Sequence, residues 1–297
     1  DVEYTANFEA VEVTPAIIVT NDTTGVERQF TFDAFVEGAK VQIDWGNGEL
    51  EEYDIAFYDN WTTWTTTITG TLQGEGIVKI YGDQIRSFDC GYAASYPVKV
   101  TSIDVSGCPN LYDLSCYTNS LTTIDLTNNS ALSKLALNGN PELNNIVWPE
   151  TNALTTVDLN DCAFTTLDLS ACTSLTTLKV NNNTGMGSID VSALTALTTL
   201  YANNIGLTTI DLSANTKLKN LYVNENQLTS LNISTLVAGS YTFANDNQLT
   251  ELITAPEMLT SKTRINIKNN NFTLATLPAI TGINAYNYAP QNAMTIA

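Results

Sequence analysis

The chain has 297 residues, is 43% hydrophobic, and carries a formal net charge of −19 with no histidine. It holds no run of 18 or more apolar residues that would cross a membrane as a helix. It also holds no Lys/Arg cluster to neutralise phosphates, so neither nucleic acid nor an anionic bilayer is an expected partner. Without histidine, Ser–His and Cys–His nucleophile pairs are excluded, and the commonest transition-metal ligand is missing. Five cysteines with no CxxC pair argue against a disulfide framework and against a zinc site, so no metal and no cofactor are expected. The length exceeds one compact core and implies two modules or an elongated repeat. Residues 1–84 carry a net −13 and residues 85–297 a net −6, a bias that serves solubility. The first residues, Asp1-Val2-Glu3-Tyr4, form neither a basic n-region nor an apolar h-region, so the chain is read as cytosolic or as having lost a signal peptide.

Residues 1–84 read as a small β-sandwich that caps the rest of the chain. Segments 29–35 and 41–45 alternate apolar and polar residues, as half-buried strands do. The second runs into Gly46-Asn47-Gly48, and an Asn-Gly pair after an alternating strand is a strong hairpin signal. Segments 61–72 and 76–81 complete the set. Trp61 and Trp64 are read as core, with a binding role as the alternative.

From Leu111 the chain repeats itself. Copies start at Leu111, Leu132, Leu154, Leu175, Leu197 and Leu218, at spacings of 21 or 22 residues, with weaker copies near Gly239 and Lys262. One further coil precedes them, with Ile85-Arg86-Ser87-Phe88-Asp89-Cys90 as its first half and 100–105 as its second. The consensus LxxLxLxxNxL, filled completely by 218–228, is the leucine-rich-repeat signature. Alternation puts Leu218, Leu221 and Val223 inside the coil. Each Asn then serves backbone groups that the turn would strand in the core. This predicts a ladder of Asn119, Asn140, Cys162, Asn183, Asn226, Asn247 and Asn270. Ile205 interrupts it, and Asn204 is expected to take over by a small register shift. The Thr-rich second halves, such as 121–126, 164–169 and 207–212, favour extended chain, and no window has helical periodicity. The fold expected is therefore mostly β: a solenoid of 21–22-residue coils with few or no helices, spanning 85–297 and irregular from about 276. Cys90 and Cys116 share one inward position of adjacent coils, and Cys108 and Cys172 another. All four are read as buried apolar thiols rather than disulfides.

The coils resemble internalin-type leucine-rich repeats, and the LTxLDLS half resembles secreted repeat proteins of gut bacteria. The run Ile43-Asp44-Trp45-Gly46-Asn47-Gly48, with 76–81, resembles the polycystic-kidney-disease-type domain of bacterial surface proteins. That family usually reads WGDG and has a histidine before its last strand; Asn47 and Thr69-Gly70-Thr71 stand here instead. These resemblances imply a secreted or cell-surface protein acting in adhesion or host contact, with any signal peptide or lipoprotein anchor removed.

Solenoids bind on the concave sheet. The exposed positions there give the candidate site: Tyr201, Tyr222, Tyr241, Phe243, Lys179, Asp158, Asn220 and Arg264. Tyr201, Tyr222 and Phe243 should form a row of adjacent rings. Such a row anchors a protein partner, offers a platform for a glycan, or merely stabilises the sheet. The convex row of Asp168, Asp190 and Asp211 is read as turn-stabilising, with calcium as the alternative. Asp158 and Asp161 are the one nearby carboxylate pair, but an open sheet gives no burial to raise a general acid's pKa, so no catalysis is expected. The function expected is protein binding by a monomer, with a glycan-binding module or a surface spacer as alternatives.

Overall fold

The computed structural model describes residues 14–58, 65–91, 95 and 97–292. Trp61 and Trp64 lie outside the described residues. Eight strands open the chain: β1 (Ile17–Asn21), β2 (Glu27–Ala34), β3 (Lys40–Asp44), β4 (Leu50–Asp54), β5 (Thr66–Thr71), β6 (Ile77–Tyr81), β7 (Ile85–Asp89) and β8 (Val100–Asp104). Short strands come next: β9 (Asp113–Ser115), β10 (Thr123–Asp125), β11 (Lys134–Ala136), β12 (Asn145–Val147), β13 (Thr156–Asp158), β14 (Thr177–Lys179), β15 (Thr199–Tyr201), β16 (Asn220–Tyr222), β17 (Ser230–Asn232), β18 (Tyr241–Phe243), β19 (Glu251–Ile253), β20 (Arg264–Asn266) and β21 (Ala285–Asn287). Among the described residues there is no α-helix, and the one helical turn is 3₁₀, Pro256–Met258.

The first strands form a sandwich. One sheet runs β4-β3-β6-β1-β8; facing it is the end of a 12-stranded sheet, where β5, β2 and β7 are antiparallel. Alternation in β2 buries Phe30, Phe32 and Ala34. Phe30 stacks on Trp45 at 5.6 Å and meets Phe88 at 5.4 Å. Trp45 in turn lies flat on Gly70, where a Cβ would come within 2.1 Å of the indole ring, so residue 70 has no room for a side chain. The Asn-Gly turn closes the β3–β4 hairpin, and Asp44 organises it by accepting from the backbone N–H of Gly46, Asn47 and Gly48 at 2.8–3.0 Å.

β7 belongs to both parts of the molecule. It pairs antiparallel with β2 and parallel with β9, so the large sheet passes without a break from the sandwich into the concave face of the coils. β8, the second half of the first coil, turns back and pairs antiparallel with β1. The boundary expected at 84/85 thus falls beside a strand common to the sandwich and the coils, and one apolar core runs from Ala16 to Phe272.

In the coils, each concave strand pairs with the equivalent residues of the next: Leu135 with Val157, Leu178 with Leu200, Leu200 with Leu221. These inward residues are fully buried. Among the described residues the convex halves form two short parallel pairs, β10–β12 and β17–β19. The segment expected to be irregular carries one more rung: β21 pairs parallel with β20, and Gln291 donates to the Ile267 carbonyl at 3.0 Å, as a ladder amide does. Gln291 lies 21 residues after Asn270 but breaks the Asn signature, which hid it.

The ladder itself is built as the signature requires. In Asn183, Oδ1 accepts from Phe164 N–H at 3.1 Å while Nδ2 donates to the Leu159 and Val180 carbonyls at 2.9 and 2.8 Å. Cys162 takes its place with a thiol 3.4 Å from the Leu137 carbonyl. The expectation for Asn204 is overturned. Ile205 occupies the inward position fully buried, its N–H is taken by Asn226 Oδ1 at 3.1 Å, and no register shift occurs. Asn204 instead reaches Asn182 outside the core, at 3.0 Å. Two further buried amides, Asn129 and Asn215, replace apolar residues just before the next coil. Asn129 donates to the Val105 and Cys108 carbonyls, and Asn215 to those of Val191 and Leu194.

One residue before each ladder position the backbone is left-handed, at Thr118, Gly139, Asp161, Asn182, Asn204, Glu225, Asp246 and Asn269. This bend lets the chain leave the concave strand and still turn its next side chain inward. Asn, Asp and Gly tolerate the conformation; Thr118 is the costly member, being β-branched.

One rung is polar: Thr242 sits where Leu200 and Leu221 sit in earlier coils. Its side chain is buried and the hydroxyl has no hydrogen-bond partner. Thr242→Val removes that orphan at constant shape and should stabilise the protein by about 1–2 kcal/mol. The check is a higher urea midpoint with an unchanged slope.

Candidate functional site

The concave sheet points the first and third residue of each three-residue strand outward, because side chains alternate along an extended chain. All the candidate residues lie on it. Tyr201, Tyr222 and Phe243 stand opposite one another in consecutive strands. Their rings are parallel, 4.4 and 5.0 Å apart, and all three remain partly exposed. Stacking uses both faces of Tyr222 and one face each of Tyr201 and Phe243. Solvent therefore meets a ridge of ring edges, and a free face only at the two ends. Burial raises the Tyr222 hydroxyl's pKa, with the neighbouring Tyr201 adding to it.

The other candidates flank this ridge. Tyr241 lies one position back and carries the Arg264 guanidinium over its ring at 4.9 Å. Arg264 also lies 3.1 and 3.3 Å from the Asn284 amide oxygen through Nε and Nη2. Asn220 donates to Thr199 Oγ1 at 3.1 Å. Lys179 is paired with Asp158 at 2.9 Å and so faces away from the ridge. That ion pair, and the acceptance by Asp161 of the Asn182 amide at 2.7 Å, occupies both members of the one expected carboxylate pair. Beyond Phe243 the sheet opens into a hollow of about 280 Å³ lined by Arg264, Asn266, Asn284, Ala285 and Asn287.

A second hollow, of about 260 Å³, lies at the other end of the same sheet, where the sandwich joins the coils. Asp33, Arg86, Asp89, Asp113 and Lys134 line it. Arg86 is held between the rings of Tyr58 and Tyr112, 3.7 and 4.6 Å from its guanidinium carbon, and is paired with Asp33 at 3.0 Å. Sequence reading missed this end because Asp33 and Tyr58 reach the concave sheet only through the antiparallel β2–β7 pairing. Desolvation raises the pKa of Asp89, opposed by a hydrogen bond from Gly91 N–H and by the charge of Arg28. A carboxyl whose folded pKa is raised costs nothing well below its unfolded pKa; the cost grows as pH rises through that value and is complete above the folded one. Asp89→Asn should therefore melt higher than the parent at neutral pH, with the gap closing on acidification towards about pH 3. Thermal melts at a series of pH values check this.

The convex carboxylates are turn-stabilisers. Asp168, Asp190 and Asp211 each accept from the backbone N–H of the serine two residues on, at 2.9 Å, and these bonds lower their pKa values.

Consecutive parallel rungs of 21–23 residues, an inward LxxLxL frame and an amide ladder define the architecture. The chain is a leucine-rich-repeat solenoid. No protein-family profile matches it, and no curated protein does. Solved structures similar to it include the functional domain of InlJ from Listeria monocytogenes, which includes a cysteine ladder. That match has 22% identity and a TM-score of 0.40, and covers 64% of this chain and 47% of that one. The chain thus spans about half of the InlJ structure. The TLR13–ssRNA13 complex matches at 19% identity and TM-score 0.38, over 56% of this chain and 23% of that one. The internalin InlF from Listeria monocytogenes matches at 17% identity and TM-score 0.20, over 68% and 87%. Among the described residues, no helix is long and apolar enough to cross a membrane.

Proposed function

We propose that this solenoid is a non-catalytic binding protein that holds a protein partner on its concave face, at the surface of a bacterial cell or after secretion. The observation that carries this reading is the ridge Tyr201–Tyr222–Phe243, three stacked, partly exposed rings on consecutive strands of a continuous sheet. Exposed aromatic anchors supply large contact area at little entropic cost, and they dominate protein interfaces. Their stacking favours a protein over a sugar. A sugar ring lies flat on an aromatic face, whereas this ridge offers edges that fit between the side chains of a protein. The sandwich supports the site by covering the first coil, since a solenoid must shield its terminal apolar surface.

A second reading, a glycan subsite, is favoured by one observation: the outer side of Phe243 lines the hollow bordered by Asn266, Asn284 and Asn287. Binding to immobilised host extracellular proteins and to a glycan array separates the two. The Tyr201→Ala/Tyr222→Ala/Phe243→Ala variant, shown to be folded, should lose at least tenfold in affinity for the protein ligand. Capture of glycans alone moves the assignment to the hollow. A folded variant that binds a protein ligand as the parent does removes the ridge from the site.

A further inference from the structure

In the inward rank that succeeds each concave strand, most coils place an aliphatic residue: Leu137, Leu159, Val180, Val223 and Ile267 are all fully buried. The first two coils place Cys90 and Cys116 there, also fully buried. Phe88 is registered opposite Leu114, so the two cysteines, each two residues on, stand opposite each other. The Cys90 N–H donates to the Ser115 carbonyl at 2.8 Å, which carries the ladder up to this rung. Neighbouring strands run about 4.8 Å apart, within the ~4.4–6.8 Å between Cα atoms that a disulfide spans. The sulfurs themselves are 2.8 Å apart, closer than unbonded sulfur atoms pack. The other cysteines have different neighbours: Cys108 meets the Ile85 carbonyl, Cys162 the Leu137 carbonyl and Cys172 the Asn152 amide.

We propose that Cys90 and Cys116 are an oxidative cross-linking site, closing to a disulfide that staples the sandwich to the solenoid. β7 is the strand common to both parts, and β9 is the first strand that belongs to the coils alone. A bond between their ends locks the joint. The oxidant is a disulfide, such as oxidised glutathione, met during folding. One protein thiolate attacks it and releases glutathione; the second attacks the protein sulfur of the mixed disulfide and releases another. Two protein thiols and one glutathione disulfide become one protein disulfide and two glutathione thiols, so atoms and electrons balance. The reaction belongs to the folding stage. Once buried, the Cys90 thiol is raised well above its ordinary range, chiefly by desolvation, and no longer supplies a thiolate. The proposal stands independently of what the concave face binds.

The test is to refold the full chain in a reduced/oxidised glutathione mixture and, separately, in dithiothreitol. Thiols are then counted under denaturing conditions and the intact mass is measured. In glutathione, three of the five thiols should remain, the mass should fall by two hydrogens, and a non-reduced peptide map should join Cys90 to Cys116. In dithiothreitol all five thiols should react. The oxidised protein should melt roughly 5–10 °C above the reduced one, a gap that Cys116→Ala abolishes. Five free thiols in glutathione-refolded, natively folded protein, or a linkage through Cys108, Cys162 or Cys172, overturns the proposal. Both readouts come from the parent chain, so they hold even where Cys116→Ala folds poorly.

Discussion

Leu221→Asp should abolish cooperative unfolding of the coils around β16. Leu221 is fully buried, with Leu200 opposite on one side and Thr242 on the other. Leu200 offers no polar side-chain group and Thr242 only its single hydroxyl, while the β16 amides are committed to the ladder, so no cation meets the carboxylate. An unpaired buried charge costs more than ~5 kcal/mol, a large part of the ~5–15 kcal/mol that holds an ordinary domain together. The damage is confined at first to the rungs on either side, since each coil touches only its neighbours. Amide exchange should therefore quicken in β15, β16 and β18 while β2 and β6 stay protected. Leu221→Met conserves volume and should cost under ~1.5 kcal/mol. An Asp variant that melts like the parent would show that Leu221 does not face inward.

Asn226→Leu is the second large effect, and it acts through the backbone. Asn226 serves five main-chain groups in two coils, the Asn224 carbonyl among them. Oδ1 accepts from Ile205 and Leu207 N–H at 3.1 and 3.0 Å, and Nδ2 donates to the Ala202 and Val223 carbonyls at 2.8 and 3.0 Å. Leu fills the volume but satisfies none of them. At about 1–3 kcal/mol for each stranded group, and allowing for partial relaxation, the loss should be roughly 3–5 kcal/mol. It should exceed that of Asn119→Leu, because Ile205 cannot serve its own coil and Asn226 does so in its place. Urea unfolding gives the loss, and exchange at the Leu207 amide locates it. A cost under about 1 kcal/mol for Asn226→Leu would mean that the ladder is decoration.

The parts of this architecture that depend on side-chain chemistry at fixed spacing were readable in advance. Leu114, Leu135, Leu178, Leu200 and Leu221 announce themselves because burial tolerates little else, and the amide ladder because few side chains both donate and accept. The aromatic ridge came from register alone, since Tyr201, Tyr222 and Phe243 share one outward position. What escaped depends on backbone or on distant pairing. The left-handed residue is Gly, Asn or Asp in six of the eight coils, but Thr118 and Glu225 interrupt the pattern and the neighbouring turn residues are Asn-rich too, so it does not stand out. Asn129 and Asn215 lie outside the repeat signature, yet their amides hold carbonyls of the preceding coil inside the core. Arg28, a charged residue on a strand, is fully buried, donating to the carbonyls of Val98 and Cys90. The hollow around Arg86 needed β2 to run antiparallel to β7 across more than fifty residues, which no local pattern encodes. Whether rings stack face to face or stand apart is likewise a matter of rotamers, and here it decides how the ridge meets a ligand.

The shared strand β7 also sets how the molecule answers to force. At the amino-terminal side the large sheet ends in antiparallel pairs, β5–β2 and β2–β7, whose bonds lie across the strands and must shear together. The coils are stacked by parallel rungs of three residues each, and a pull along the solenoid axis opens these one rung at a time. Tension on a tethered chain would thus unzip it from β21 inward. Each step would release one coil of 21–23 residues, about 7 nm of slack, and the sandwich would yield last.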